Sequence, residues 1–296
     1  IFNMKKISVN CPAKINLTLE IVNKREDGFH NIKSIMQTIS LFDRLMIKTE
    51  KAEKTEIRLD GNSSEIPYNE KNLVYKAADL FFQKSGISAT VEIYIDKNIP
   101  IAAGLAGGST DAAGTLWGLN EIFEKPFDKK ELHSLCSMLG SDLNVCLEGG
   151  CLLATSRGEV IQKIDTKMNY PLTLIKPKNL GISAGEAYTK YTKKEFKPQN
   201  NMTEKMLNAI ESSSDVKEFL YNDLEYAVFD DYEELQIIKE KLPNSIMSGS
   251  GSTYFVLEDL KNNPFNSNYQ VIQNIHFINY GVKEVLNSNC KDFVTN

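Results

Sequence analysis

The stretch Ile99 to Asn120, IPIAAGLAGGSTDAAGTLWGLN, holds the residues best suited to chemistry. Gly104, Gly107 and Gly108 are followed at once by Ser109, Thr110 and Asp111. Glycine lets backbone approach a ligand closely, and a helix start leaves unpaired N–H groups pointing outward. Together they form a cradle for phosphate. A Walker A loop needs GxxxxGK and then Ser or Thr, but no Lys follows Gly107 or Gly108. A dinucleotide fingerprint needs GxGxxG; position 106 is Ala, and the interval from Gly104 to Gly107 does not match. The plain alternative is a glycine-rich turn before a buried helix. Such a turn seldom needs this many glycines and then two hydroxyls, so the sequence points to a phosphorylated ligand.

Elements must hold this turn in place. TVEIYIDK precedes it as a strand, and Ala112, Ala113, Leu116, Leu119 and Phe123 recur after it at helical spacing. Ile7 to Val9, Ile15 to Val22, LMIKTE and TEIRLD alternate as half-buried strands do. Asn72 to Ser85 predicts a helix with Leu73, Ala77, Leu80 and Phe81 on one face, and Glu131 to Leu139 a second one ended by Gly140. Cys151 to Ile164 reads as a hairpin turning at Arg157-Gly158, and PLTLIKP as a short strand. Ser183 to Tyr191 predicts a helix opened by a capping box between Ser183 and Glu186. Lys190 to Asn201, with Lys193, Lys194 and Lys197, reads as a solvated loop. Tyr221 to Leu242 predicts one helix stopped by Pro243, and Ile246 to Leu257 a strand, glycine turn and strand. Strands come mostly first and helices are inserted without strict alternation. This predicts an α+β fold and not a doubly wound sheet, with a boundary between Lys163 and Tyr170.

Composition excludes several classes. The 296 residues are 42% hydrophobic and 25% charged, as in an ordinary globular protein of one large or two medium domains. A formal net charge of −5 argues against a nucleic-acid partner. No apolar run approaches the roughly 18 residues that span a bilayer, so no membrane partner is expected. The N-terminus alternates instead of forming an apolar block, so no signal peptide is expected; Ile1 to Asn3, ahead of Met4, are left out of the fold reading. Cys11, Cys136, Cys146, Cys151 and Cys290 are odd in number and form no CxxC. They read as reduced, mostly buried thiols of a cytoplasmic protein, with Cys146 and Cys151 on adjacent buried strand or turn. His30, His133 and His276 are too scattered for a zinc site. The oligomeric state stays open.

These segments resemble a known superfamily. The glycine-rich stretch is similar to the second motif of the galactokinase, homoserine kinase, mevalonate kinase and phosphomevalonate kinase (GHMP) superfamily. IMSGSGSTYFVLED resembles its third glycine motif, and LGSDLNVCLEGG, Leu139 to Gly150, the segment carrying its catalytic Asp. CPAKINLTLEIVNKREDGFHNIKS resembles the opening of the 4-diphosphocytidyl-2-C-methylerythritol kinases of the non-mevalonate isoprenoid route. The segments follow the family order from Cys11 to Glu258. The resemblance implies ATP-dependent phosphorylation of the 2-hydroxyl of 4-diphosphocytidyl-2-C-methylerythritol, with Mg2+. It also implies a two-domain GHMP fold with a cleft between the halves. Residues 1–165 would form a ribosomal-protein-like, ATP-binding and catalytic domain, and 166–296 a ferredoxin-like, substrate-side domain.

Phosphoryl transfer to an alcohol needs positioning, charge neutralisation and removal of the hydroxyl proton. An Asp can orient and deprotonate the alcohol, and a Lys beside it keeps the carboxylate ionised. By resemblance these are Asp142 and Lys14. From the residues alone, Lys14 reads equally as a surface-strand lysine and Asp142 as a turn or N-cap residue. Asn16, two residues beyond Lys14, shares its strand face and would meet the acceptor too. His30 would read cytosine, since imidazole both donates and accepts, and Phe29 beside it would line the pocket; the family usually has Tyr where Phe29 stands. Tyr188, with Ser183 in the same segment, would stack on the base, or else is a core Tyr on a helix. Pro100, Gly104, Leu105, Ala106, Gly107, Gly108, Ser109 and Thr110 would wrap the phosphates of ATP. Asn72 and Leu73 would line the adenine pocket, and Lys97 would lie near the nucleotide. Asp111 would repel phosphate unless it serves the helix start, the role expected of it. Gly249 and Gly251 would bring a second turn to the site, and Ser109 would offer Mg2+ an oxygen. The alternatives are a homoserine- or mevalonate-type kinase, disfavoured by Gly28-Phe29-His30, and a non-catalytic nucleotide-binding homologue, disfavoured by Lys14 together with Asp142. An RNA-binding module conflicts with the acidic balance.

Overall fold

The computed structural model describes residues 4–195 and 201–285. The residues Ile1 to Asn3, Lys197 and Cys290 named above lie outside them. The two alternating segments near the start belong to one strand, β1 (Lys5–Lys24), which pairs antiparallel with β2 (His30–Lys51). The pairing slips between Pro12 and Lys14 and again between Asn16 and Thr18. Such irregularities re-aim side chains, and here they flank two candidate site residues. Then come β3 (Glu56–Gly61), α1 (Leu73–Ser85), β4 (Ala89–Asp96), α2 (Gly107–Ile122), α3 (Lys129–Leu139) and α4 (Leu143–Glu148). The hairpin of β5 (Cys151–Thr155) and β6 (Val160–Ile164) turns where the sequence placed it. The second half runs β7 (Pro171–Pro177), α5 (Ala184–Lys193), α6 (Met202–Glu211), β8 (Tyr221–Asn222), α7 (Asp223–Val228), α8 (Glu233–Lys241), β9 (Ile246–Met247), β10 (Tyr254–Val256), β11 (Tyr269–His276) and β12 (Lys283–Glu284).

One sheet runs β12-β1-β2-β4-β3, with the β5–β6 hairpin added to β2 and β8 lying parallel to β1. The other runs β11-β7-β10-β9. The inner face of the first sheet, with Val9, Ile47 and Ile93, packs against Ala77, Phe81, Ala112 and Leu116 of α1 and α2. A second core joins Ala13, Ile15 and Leu17 of β1 to Leu172, Leu174 and Phe255 of the other sheet. This mixed, non-alternating arrangement is the α+β fold expected.

Several local expectations need correction. Tyr221 to Leu242 is not one helix: Tyr221 and Asn222 pair with Thr18 and Leu19, and a 3-10 turn at Phe229–Asp231 separates α7 from α8. The Asp223 carboxylate accepts from Ile21 N and the Tyr221 hydroxyl, so tertiary bonds override local helix preference there. Helix α6 has no counterpart among the expected elements; its first-turn N–H groups at Met202 and Thr203 donate to Glu20 of β1, 2.9 Å each. Helix α5 continues to Lys193, so the start of the expected loop is helical. Ser183 Oγ accepts from Glu186 N at 3.1 Å, but the Glu186 carboxylate takes the Tyr232 hydroxyl and closes no capping box. Cys146 sits on α4, not on strand or turn. Cys11, Cys136, Cys146 and Cys151 are free and buried, and burial pushes the Cys136 and Cys151 thiols up to about 12.

Candidate active site

A cleft of about 630 Å³ is lined by Lys14, Asn16, Phe29, His30, Gly104, Ala106, Ser109, Asp142, Tyr188 and Gly249, among others. Expected residues from distant parts of the chain thus share one space. Lys14 is 3% exposed. Its ammonium donates to Asn16 Oδ1 at 2.8 Å and lies 3.4 Å from Asp142 Oδ2. Asn16 Nδ2 in turn donates to Ser34 Oγ at 2.9 Å, which fixes the amide's orientation. Asp142 stands at the N-cap of α4 yet spends no side-chain hydrogen bond on capping it. Its carboxylate is about one-third exposed, lines the cleft and is paired with a buried ammonium.

The glycine-rich turn lies against the main chain of the same lysine. Lys14 N donates to Leu105 O at 3.1 Å. Gly104 (φ 75°) and Ala106 (φ 60°) adopt left-handed backbone, and α2 starts at Gly107 with no side-chain cap. Its first N–H groups therefore remain for a ligand. A Cβ at Gly108 would meet no heavy atom of the described residues within 4 Å, so that side of the turn is open. A Cβ at Gly104 would lie 2.0 Å from Ser248 O, because the Ser248–Ser252 turn packs directly on it. Ser248 Oγ donates to Gly104 O at 3.0 Å, and Asn222 Nδ2 holds that second turn through Met247 O and Gly249 O. Both glycine turns thus converge on Lys14.

The other end of the cleft is aromatic. His30 and Tyr188 stack with centroids 4.9 Å apart and planes 17° apart. His30 Nε2 is buried with no hydrogen-bond partner among the described residues. Burial first, and Lys24 second, hold the imidazole below its ordinary pKa, so it is neutral at pH 7. Phe29 is half-exposed, with the Arg157 guanidinium 5.0 Å over its ring. Arg157 and Lys24 also line the cleft. Sequence reading missed both; Arg157 carried only the signal of a turn residue.

Other expected residues take different places. Asn72 caps α1: Oδ1 accepts from Val74 N at 2.9 Å and Nδ2 donates to Pro67 O at 2.7 Å. Neither it nor Leu73 lines the cleft. Pro100 lies in the turn after β4, Leu105 contributes its carbonyl to Lys14 N, and Thr110 is fully buried beneath the turn. Ser183 caps α5 and is not in the lining. Asp111 is no helix cap. It lies inside α2, buried, with its carboxylate 3.0 Å from Lys97 Nζ. Lys97 also bonds Asp43, a buried carboxylate of β2 that sequence reading passed over although it interrupts an apolar run. No group of three or more His, Cys, Asp or Glu is placed to hold a metal among the described residues.

Comparison with known proteins decides the family. The GHMP kinases N terminal domain matches residues 72–150. The chain is 38% identical over 269 residues to a protein named 4-diphosphocytidyl-2-C-methyl-D-erythritol kinase from Prochlorococcus marinus (strain MIT 9215), covering 86% of each. A protein of that name from Bacillus pumilus (strain SAFR-032) is 40% identical over 260 residues, 85% of this chain and 88% of that one. The chain belongs to the 4-diphosphocytidyl-2-C-methyl-D-erythritol kinase family. A crystal structure of a 4-(cytidine 5'-diphospho)-2C-methyl-D-erythritol kinase superposes with a TM-score of 0.68 at 29% identity, covering 85% of this chain and 90% of that one. As a member of the 4-diphosphocytidyl-2-C-methyl-D-erythritol kinase family the chain has the two-domain GHMP fold and is a kinase. Its cleft combines an open helix start, a buried ammonium beside a carboxylate, and an aromatic pair.

Proposed function

We propose that the chain transfers the γ-phosphoryl group of ATP to the 2-hydroxyl of 4-diphosphocytidyl-2-C-methyl-D-erythritol. The observation that carries this reading is the 3.4 Å pair of Lys14 and Asp142 between the open glycine turn and the His30–Tyr188 stack. Asp142 accepts the hydroxyl proton or orients the hydroxyl, and Lys14 meets the charge developing on the transferred group. Asn16 holds the ammonium in place. The backbone N–H groups at Gly107 to Ser109 hold phosphate oxygens. His30, neutral and with a buried unpaired nitrogen, hydrogen-bonds the cytosine edge, and Phe29 and Tyr188 supply ring faces. The donor set suits Mg2+ carried on the triphosphate: this ion keeps several waters and needs few protein oxygens, and Ser109 Oγ would be one. Bound there, it would neutralise charge on the phosphates. Residues 1–165 supply the ATP side and 166–296 the second glycine turn and Tyr188. The enzyme acts in the cytoplasm on a small molecule, without nucleic acid; no described helix is long and apolar enough to cross a membrane.

An ADP-release assay offering the cytidyl substrate, mevalonate and homoserine side by side tests this. Turnover is expected with the first alone. Turnover with either of the others, and none with the first, would reverse the assignment.

A further inference from the structure

Lys97 is the residue whose surroundings fit its expected role least. Its side chain is 7% exposed, and those of Asp43 and Asp111 are 0% and 4% exposed. The ammonium bonds Asp43 Oδ2 and lies 3.0 Å from Asp111 Oδ2. Asp43 is fixed further by Asn98 N at 2.6 Å and Ile99 N at 2.8 Å, both on its Oδ1. Asp111 Oδ1 is buried with no hydrogen-bond partner among the described residues. The cluster therefore joins β2, the loop that follows β4, and α2. It sits directly below the phosphate turn, since a Cβ at Gly107 would come within 3.0 Å of Lys97 Nζ.

Two carboxylates under an anion site oppose phosphate binding unless they are neutralised. We infer that Lys97 is a positioning residue: it neutralises Asp43 and Asp111 and seats the start of α2, and it does not itself touch the nucleotide. Burial works against the ammonium, but Asp111 and Asp43 outweigh it and hold the Lys97 pKa above its ordinary value. The ammonium is thus committed to its partners. Removing it leaves uncompensated buried charge beneath the turn, whereas removing one carboxylate with it restores the balance. This inference rests on the reading that the turn holds the phosphates of ATP.

The test is a double-mutant cycle read by direct ATP binding and by steady-state kinetics. Lys97→Met is expected to weaken ATP about tenfold and leave the KM for the acceptor within about twofold. Asp111→Asn alone keeps the Lys97–Asp43 pair and is expected to bind ATP within about twofold of the parent. The deciding protein is K97M/D111N, expected to recover ATP affinity to within about threefold of the parent. If K97M/D111N binds ATP as weakly as Lys97→Met, the ammonium contacts the nucleotide and the inference falls. Where K97M or K97M/D111N does not fold, K97Q and K97Q/D111N, which keep a donor toward Asp43, give the same comparison. Failure of the parent protein to bind ATP would instead overturn the proposed function, so the two failures are distinct.

Discussion

Asp142 begins a helix without capping it, which leaves its carboxylate to the Lys14 ammonium and the cleft. Asp142→Asn keeps the shape and removes the proton-accepting charge. It is expected to lower kcat by about 10²–10⁴ while ATP affinity stays within about twofold. Single-turnover kinetics beside calorimetric ATP binding checks this; loss of both together would make Asp142 a structural residue. His30 carries a pH dependence. Its folded pKa lies below the ordinary value of 6.5, so between the two values the unfolded chain binds more protons and stability rises with pH. The His30 contribution is complete above 6.5 and declines as pH falls through that value toward the folded one. His30→Gln is expected to flatten the drop in denaturant midpoint between pH 8 and pH 5. A variant with an unchanged slope would exclude His30 as its source. Lys14, Asn16, Asp142, His30 and Tyr188 were named through the family resemblance, and the structure brings them to one cleft. The Asp43–Lys97–Asp111 cluster was not legible, because a carboxylate's partner on another element leaves no trace in spacing.

At the level of elements, the glycines of one turn divide into two kinds. Gly104 has left-handed backbone, and its Cβ position is filled by a main-chain oxygen of the second turn. Gly104→Ala is expected to cost about 2–4 kcal/mol of stability. Gly108 is helical and faces open space. Gly108→Ala is expected to hold or gain stability, since Ala favours a helix by about 1 kcal/mol, yet to raise the KM for ATP by occupying the phosphate side. Thermal melts with ATP titrations separate the two; a Gly108→Ala enzyme with unaltered ATP affinity would argue against phosphate on that side. The turn, its helix and the hairpin at Ser156–Glu159 were readable from glycine placement and periodicity. The late start of α7 was not, because Asp223, its first residue, is tied to Ile21 N, from a strand two hundred residues earlier.

For the whole molecule, the chain returns late to the sheet it began. β8 and β12, of two residues each, both pair with β1. The core beside Lys14 draws Ala13, Ile15, Ile99 and Leu105 together with Leu172, Leu174 and Phe255. A fragment of residues 1–165 would expose that face and lose both edge strands. It is expected to show no cooperative unfolding transition by circular dichroism, and a sharp transition would mean that the first half folds alone. Strand and helix order was enough to predict the α+β class. The joining strands were not readable, since two residues carry no periodicity.

The Lys14 N to Leu105 O bond has one more consequence. It links the strand that carries Lys14 to the glycine-rich turn through main chain alone. The spacing between that strand and the glycine turn is therefore set at this point by backbone and not by side chains. Adapting such a cleft to a different guest would be a matter of upholstery at the aromatic end, with that spacing left unaltered.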